Sequence, residues 1–435
     1  VSPPEKGARG KVEDFQFSSS KLQQTLNNAG VDTVGKLIPQ FKAADTLAIT
    51  RTGESVKLTD WSQVYLLQLK NAQQRKELIN LLNNSDKVIY AEPNGTGSAD
   101  IIPDDPKFYK QWHLKNDGSS DQGNGTVDAD IDAELAWDIT TGSNSIKIGI
   151  VDGGMQTNHD DFTGRVSGDT GDNNSHGTGV AGVAAAQGDN GIGVAGVAWN
   201  TQIINEDYGW GSDAEFASAV RSAASRGAHV INNSWKLTDI YGNVRTDYSI
   251  TVRNAFADVY KLNKVAVASM GNQANTYQSE LQYPAAFGQG IITVGATDNK
   301  DVRAAFSSRG SWIDVVAPGV AVYTTLPTNT YDNATGTSFA APQVSGIAGL
   351  LLSYNPSLYN DDIEQIIRLS TDQVEGMNGQ TFHVEYGTGR VNARKALDLL
   401  RSPHHFVHKS ATGGSIFSST GTYSMVFQVS GLAPG

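Results

Sequence analysis

The stretch IKIGIVDGG, residues 146–154, sets Ile146, Ile148, Ile150 and Val151 ahead of an acid and two glycines. So short a run of β-branched residues reads as a buried strand, Lys147 to Val151, that delivers Asp152 at its carboxyl end. Gly153 and Gly154 let the chain turn away at once. Strands of the same kind are predicted at His229 to Asn232, Lys264 to Ala268, Ile291 to Gly295 and Ile313 to Ala317. Between them, Asp213 to Arg226 reads as a helix opened by a capping Asp and closed by Gly227, and Ser249 to Leu262 repeats that logic. The alternation predicts an α/β fold over residues 99–400, three layers with a mostly parallel sheet flanked by helices.

Upstream, residues 62–93 read as a β-α-β core: Val64 to Leu69, a helix from Asn71 to Leu82, and a short strand from Lys87 to Ala91. The polar run NGTGSAD, residues 94–100, suits an exposed, protease-accessible connection, so a boundary is placed there and residues 1–98 form a separate small domain. Downstream, residues 401–435 turn to Ser, Thr and Gly with alternating apolar positions, a linker and the start of a further β domain. His404, His405 and His408 approach a metal-binding spacing, but Pro403 and the lack of acidic or Cys partners favour a linker.

The chain has 45 acidic and 33 basic residues in 435, a net charge of −12, and no sustained Lys/Arg run. That argues against nucleic-acid and anionic-membrane surfaces. With no Cys, disulfides, thiolate metal sites and thiol catalysis are excluded. No apolar run reaches the roughly 18 residues of a membrane span, and VSPPEKGARG has neither Met nor an apolar signal core, as in a processed or trimmed chain.

Three further segments carry chemistry only when taken together. NNSHGTGVAGVAAA sets His176 before a Gly- and Ala-rich helix, and its GTGVAG formally matches a dinucleotide fingerprint. That fingerprint should follow a strand directly, whereas GDTGDNNSH precedes it here. GTSFAAP, residues 336–342, sets Ser338 at the amino end of a buried helix. VAVASMGNQAN sets Asn272 after a buried strand and a glycine. A serine hydroxyl needs a base, the base needs a fixed tautomer, and the oxyanion needs a donor. These four residues supply those groups, although each alone reads better as a cap, a turn or a structural histidine.

Asp152-Gly, His176-Gly-Thr, Gly271-Asn272 and Gly-Thr-Ser338, in that order, resemble the motifs of the subtilisin-like serine proteases, the subtilases, over about residues 101–400. The Asp, His, Ser order is itself a known worked case of that family. The resemblance implies a subtilisin-like catalytic domain and a serine endopeptidase in which Asp152 orients His176. His176 takes the proton of Ser338, and Asn272 with the Ser338 N–H binds the oxyanion. It also implies a specificity pocket from Ser234, Trp235, Lys236, Ala268, Ser269, Gly271, Gln273 and Gln282, partly polar and uncharged, which argues against strict basic-residue specificity.

Calcium is implied by His159-x-Asp161-Phe162 and by GDNGIGVAGVA. The expected ligands are Asp105, Asp161, Asn190 and the carbonyls of Ile192 and Val194, hard oxygens suited to that ion. The amino-terminal domain, ending VIYAEPN, resembles the family's propeptide, an intramolecular chaperone and inhibitor, so cleavage is expected within Asn94 to Asp100. Protein or peptide substrates, a secreted or cell-surface bacterial location and a monomer complete the expectation.

Two positions depart from the family pattern. Gly153 stands where the family has Ser or Thr, removing a hydroxyl beside Asp152. Lys236 stands where it has Gly, on the edge that pairs with extended substrate, and would narrow the cleft or favour acidic side chains. These departures keep a non-catalytic binding protein of the same fold as the alternative, and GTGVAG keeps a dinucleotide-dependent enzyme as a third.

Overall fold

The computed structural model describes residues 9–17, 19–49, 54–71, 74–93, 101–170, 173–276, 279–288, 290–401, 406–412 and 424–430, the last two spans as backbone. The expected cleavage segment Asn94 to Asp100, and the histidines at 404 and 405, lie outside the described residues, as does the His408 side chain. The chain divides into two compact units, Val1–Ser98 and Ala99–Gly435.

The first unit runs β1 (Arg9–Gly10), α1 (Ser20–Asn28), β2 (Val31–Lys36), β3 (Leu47–Ile49), β4 (Ser55–Lys57), β5 (Tyr65–Leu69) and α2 (Arg75–Asn83). β1, β2 and β5 form an antiparallel sheet, β3 and β4 a hairpin. Val12, Phe15, Leu26, Val34, Leu78 and Leu82 form the core between sheet and helices. The expected strand at Lys87 to Ala91 is absent. Asn83 takes its place as a partner: its Nδ2 donates to Ala91 O at 2.9 Å and its Oδ1 accepts from Ala91 N at 2.6 Å. One amide thus satisfies the backbone groups a sheet neighbour would have bonded. The β-α-β core of residues 62–93 is therefore corrected to a β-α unit whose sheet partner, β2, comes from earlier in the chain.

The second unit is built on a seven-stranded, wholly parallel sheet. Its strands are β6 (Lys147–Asp152), β7 (Val166–Gly168), β8 (Gln202–Asp207), β9 (Val230–Asn233), β10 (Val265–Ser269), β11 (Ile292–Thr297) and β12 (Val315–Pro318), in the order β12-β11-β10-β9-β6-β8-β7. Helices cover both faces, which is why β6, β9 and β10 are buried almost throughout. The helices are α3 (Ala133–Trp137), α4 (Ser175–Ala185), α5 (Asp213–Ser225), α6 (Ile250–Lys261), α7 (Thr337–Tyr354), α8 (Asn360–Leu369) and α9 (Ala393–Arg401). β7 and β8 were not expected, and α5 is capped by Ser212 rather than Asp213. Ser212 Oγ accepts from Glu215 N at 3.3 Å while Glu215 reaches back to Ser212 N at 2.9 Å, a capping box one residue earlier.

α7 is apolar around its whole circumference, so it lies inside the unit rather than on its surface. It carries Pro342 in its second turn. Proline has no N–H, so the carbonyl four residues earlier, that of Ser338, loses its helical partner. Ser234 Oγ fills the vacancy, donating to Ser338 O at 2.9 Å, and thereby ties the end of β9 to the start of α7.

Candidate active site

The site lies at the carboxyl ends of β6, β9 and β10, where α4 and α7 begin. Asp152 is the last residue of β6 and is buried. Its Oδ1 accepts from Gly153 N at 2.8 Å. Both carboxylate oxygens lie 2.9 Å from His176 Nδ1. His176 is the second residue of α4, whose N-cap Asn174 accepts from His176 N at 2.8 Å and Gly177 N at 3.3 Å. A Cβ on Gly177 would collide with Gly154 O and lie 3.1 Å from Asp152 Cβ, so a bare glycine brings the helix against the Asp turn. Burial pulls the His176 pKa down, but the Asp152 charge and hydrogen bond outweigh it and the net shift is upward. The His176 side chain stays 39% exposed, so its outer edge is open for proton exchange.

Ser338 is the second residue of α7, and the His176 ring packs 5.6 Å from that of the adjacent Phe339. The Ser338 hydroxyl donates to Ser234 O at 3.3 Å. Asn272 Oδ1 accepts from both Thr337 N at 3.0 Å and Thr337 Oγ1 at 2.9 Å. Because both are donors, the amide NH2 must face the other way. A side chain at Gly336 would begin 3.3 Å from Asn272 Nδ2 and 3.7 Å from Ser338 N. Two N–H donors therefore converge on space kept empty by a glycine.

Ser234, Trp235 and Lys236 follow β9, and Ala268, Ser269, Gly271 and Gln273 end or follow β10, so these expected pocket residues lie at the carboxyl ends of two paired strands. Leu237 N donates to Tyr283 O at 2.9 Å and Gln282 Nε2 to Met270 O at 2.6 Å, which ties residues 282–283 to the chains leaving both strands. A Cβ on Gly271, whose φ is +107°, would fall inside the Gln282 amide. Gln273 turns inward: its Oε1 accepts from Asn272 N at 2.9 Å. Trp235 stacks on Phe216 at 4.0 Å within an apolar core, so its side chain is turned into the core. Ala268 and Ser269 are buried in β10, and Lys236 is half-buried.

Asp105 and Asp161 are both buried, and burial pushes each up to about 6. Asp161 accepts from Val194 N at 3.1 Å and Asn190 Nδ2 at 3.4 Å, and Asp105 Oδ2 from Asp189 N at 2.6 Å. Asp105 Oδ1 is buried with no hydrogen-bond partner. Two buried carboxylates, an orphaned oxygen and a loop wrapped around them make an oxygen-rich cradle that fits a hard cation. Asp128, Asp130 and Asp132 also cluster. There Asp130 already accepts from Asn116 N and Asp132 N at 2.6 Å each, and the Asp132 carboxylate accepts from Asn392 Nδ2.

The GTGVAG segment lies wholly within α4 instead of in a strand-to-helix loop, which removes the dinucleotide reading. Thr337 and Pro342 belong to the GTSFAAP motif and Asn174 to NNSHGTGVAGVAAA, but none of them was assigned a role of its own from the sequence. The position of Pro342, four residues after Ser338, was the available signal for a freed carbonyl.

Residues 143–389 match the family model described as the subtilase family. The chain belongs to the subtilase family. Thermitase of Thermoactinomyces vulgaris is 39% identical over 282 residues, 61% of this chain and 93% of that protein. A thermophilic serine proteinase of Bacillus sp. (strain AK1) is 34% identical over 333 residues, 74% of this chain and 75% of that protein. Among solved structures, one titled for proteases from Pseudoalteromonas arctica superposes with a TM-score of 0.57 at 25% identity, covering 68% of this chain and 99% of that one. As a subtilase the chain is a serine endopeptidase, and proteins are its substrates. No described helix is long and apolar enough to cross a membrane.

Proposed function

We propose that this subtilase cuts peptide bonds through an acyl-enzyme on Ser338, with Asp152, His176 and Asn272 as its partners. The observation that carries the reading is the convergence of Asn272 Nδ2 and Ser338 N on the space over Gly336, beside a serine hydroxyl and an Asp-bound histidine. In the reaction the Ser338 hydroxyl would leave Ser234 O by a χ1 rotation between staggered wells and give its proton to His176 Nε2. His176 accepts the proton as Oγ attacks the scissile carbonyl, and Asp152 holds Nδ1–H and stabilises the imidazolium. The carbonyl oxygen, now negative, receives both N–H donors. His176 then protonates the leaving amine, and water repeats the sequence to release the acid.

A pocket at the carboxyl ends of β9 and β10, beside Gln282, would take the side chain preceding the scissile bond. The cradle of Asp105, Asp161, Asn190 and the carbonyls of Ile192 and Val194 would hold calcium, which crosslinks the loop 189–194 to the segment bearing Asp105 and takes no part in the chemistry. The unit Val1–Ser98 acts as a propeptide, both chaperone and inhibitor, removed by the enzyme itself within Asn94 to Asp100. The enzyme is made by a bacterium as a zymogen, is secreted or displayed at the cell surface, and works as a monomer.

The test is to treat the purified chain with calcium and a fluorophosphonate and to record intact and peptide masses. One adduct on Ser338 with loss of about the first hundred residues is expected. A full-length, unlabelled chain that stays unlabelled after mild proteolysis refutes the reading.

A further inference from the structure

Gly153 carries no side chain beside Asp152. The space it leaves is filled. A Cβ at 153 would lie 2.9 Å from Asn174 Nδ2, 3.6 Å from Asn174 Cγ and 3.6 Å from Tyr208 Oη. The opposite end of the same amide, Oδ1, is committed to His176 N and Gly177 N, so the direction of the NH2 is fixed by the cap. The same residue's carbonyl accepts from Thr178 Oγ1 at 2.6 Å, and that oxygen in turn accepts from Gln156 N at 2.9 Å. Asn174 is thus fastened at its oxygen, at its backbone and against the Asp152-Gly153 turn.

From this geometry we propose that Asn174 is a positioning residue for the Asp152–His176 pair: one amide caps the helix that carries the histidine and, with its NH2, occupies and polarises the space over Gly153 that a hydroxyl would otherwise take. Gly153 and Asn174 form a matched pair. A side chain at 153 drives the amide off the cap. Loss of the amide leaves the space over Gly153 unfilled. Tyr208 cannot substitute alone, because its phenol stands farther from Gly153 and packs its ring 4.6 Å from Phe216.

The proposal rests on the serine-endopeptidase reading only for its consequence on rate, and its test has a readout that needs no turnover. In the full chain carrying Ser338→Ala, the His176 pKa is measured by NMR with labelled histidine for Gly153, Gly153→Ser, Asn174→Ser and the double variant. Serine remains a good N-cap, so Asn174→Ser keeps the cap and removes the NH2. Each single change is expected to lower the His176 pKa by about half a unit or more. The double variant, with a hydroxyl restored beside Asp152 and no amide to collide with it, is expected to return close to the parent. In chains with Ser338 intact, kcat/KM should fall about tenfold in each single variant and recover in the double. If Asn174→Ser leaves the His176 pKa unmoved, Asn174 is a cap and nothing more. If the two shifts simply add, the residues are independent. Either result overturns the proposal, whereas an inactive parent with coupled shifts would overturn the endopeptidase reading alone.

Discussion

Asn272 gives its side-chain oxygen to both the N–H and the hydroxyl of Thr337. The bonds make the first residue of α7 the clamp that aims the amide donor, without itself touching substrate. Asn272→Ala is expected to lower kcat about a hundred- to a thousandfold with KM little changed, the range found for the same donor in a subtilisin. Thr337→Val keeps the N–H and loses the hydroxyl, so a smaller loss, about tenfold, is expected. Steady-state kinetics on a peptide anilide would measure both, and unchanged kcat in Asn272→Ala would remove it from the site.

Gly336 tests the same space from the other side. Gly336→Ala places a methyl 3.3 Å from Asn272 Nδ2 and 3.7 Å from Ser338 N, where the oxyanion would sit. Its φ of +150° adds strain. A loss of kcat comparable with that of Asn272→Ala, without further loss in the double variant, is the expected outcome.

The upward shift of His176 fixes the sign of the pH dependence. A base must be neutral to accept a proton, so kcat/KM rises with pH and its acid limb lies above the ordinary histidine value of about 6.5. Asp152→Asn should move that limb down and reduce kcat by on the order of 10⁴, through the wrong tautomer. For stability the direction is opposite: the Asp152–His176 pair contributes most below the unfolded-state pKa and loses its contribution as pH rises through the folded value. A limb unmoved by Asp152→Asn would separate the two residues functionally.

Chelation probes the cradle of Asp105 and Asp161. If calcium binds only the folded state, saturation at about 100 times Kd adds about 2.7 kcal/mol of stability. Thermal melts with calcium and with strong chelator should therefore differ by several degrees, and Asp161→Asn should abolish the difference. Equal melts in the parent chain would show that the cradle holds no ion.

Much of this was legible in the sequence because burial on both faces gives a parallel strand an unbroken apolar run. β6, β10, β11 and β12 have that character, β9 opens with Val230 and Ile231 before Asn232 and Asn233, and Asp152 stood out as a polar residue where such a run stops. β8 escaped notice because four of the six residues of its sequence, QIINED, are polar. Asn205 is reconciled to the interior by its Nδ2 donating to Asp169 O at 2.9 Å, and Glu206 by an ion pair with Arg226 at 2.9 Å, partners that no local pattern reveals. β7 has three residues, too few to show a period. In the first unit the reverse error occurred: Lys87 to Ala91 has strand-like residues, but Asn83 supplies the hydrogen bonds. In the active site the chemistry-bearing residues were visible as motifs. The holding roles were not: Thr337 and Asn174 stood inside those motifs without a role of their own, and Ser234 was expected only in the specificity pocket, because ordinary Thr, Asn and Ser acquire such meaning only when distant segments meet.

The all-parallel sheet also has a kinetic consequence. Strands drawn from Lys147 to Pro318 pair only through long crossovers, so much loop-closure entropy is lost before contacts repay it. Folding should be slow, and an assembled sheet whose contacts are mostly remote in sequence should come apart as one unit or not at all. For a protein that works among molecules able to cut any locally opened segment, including copies of itself, a high barrier to opening protects it more than a deep equilibrium well.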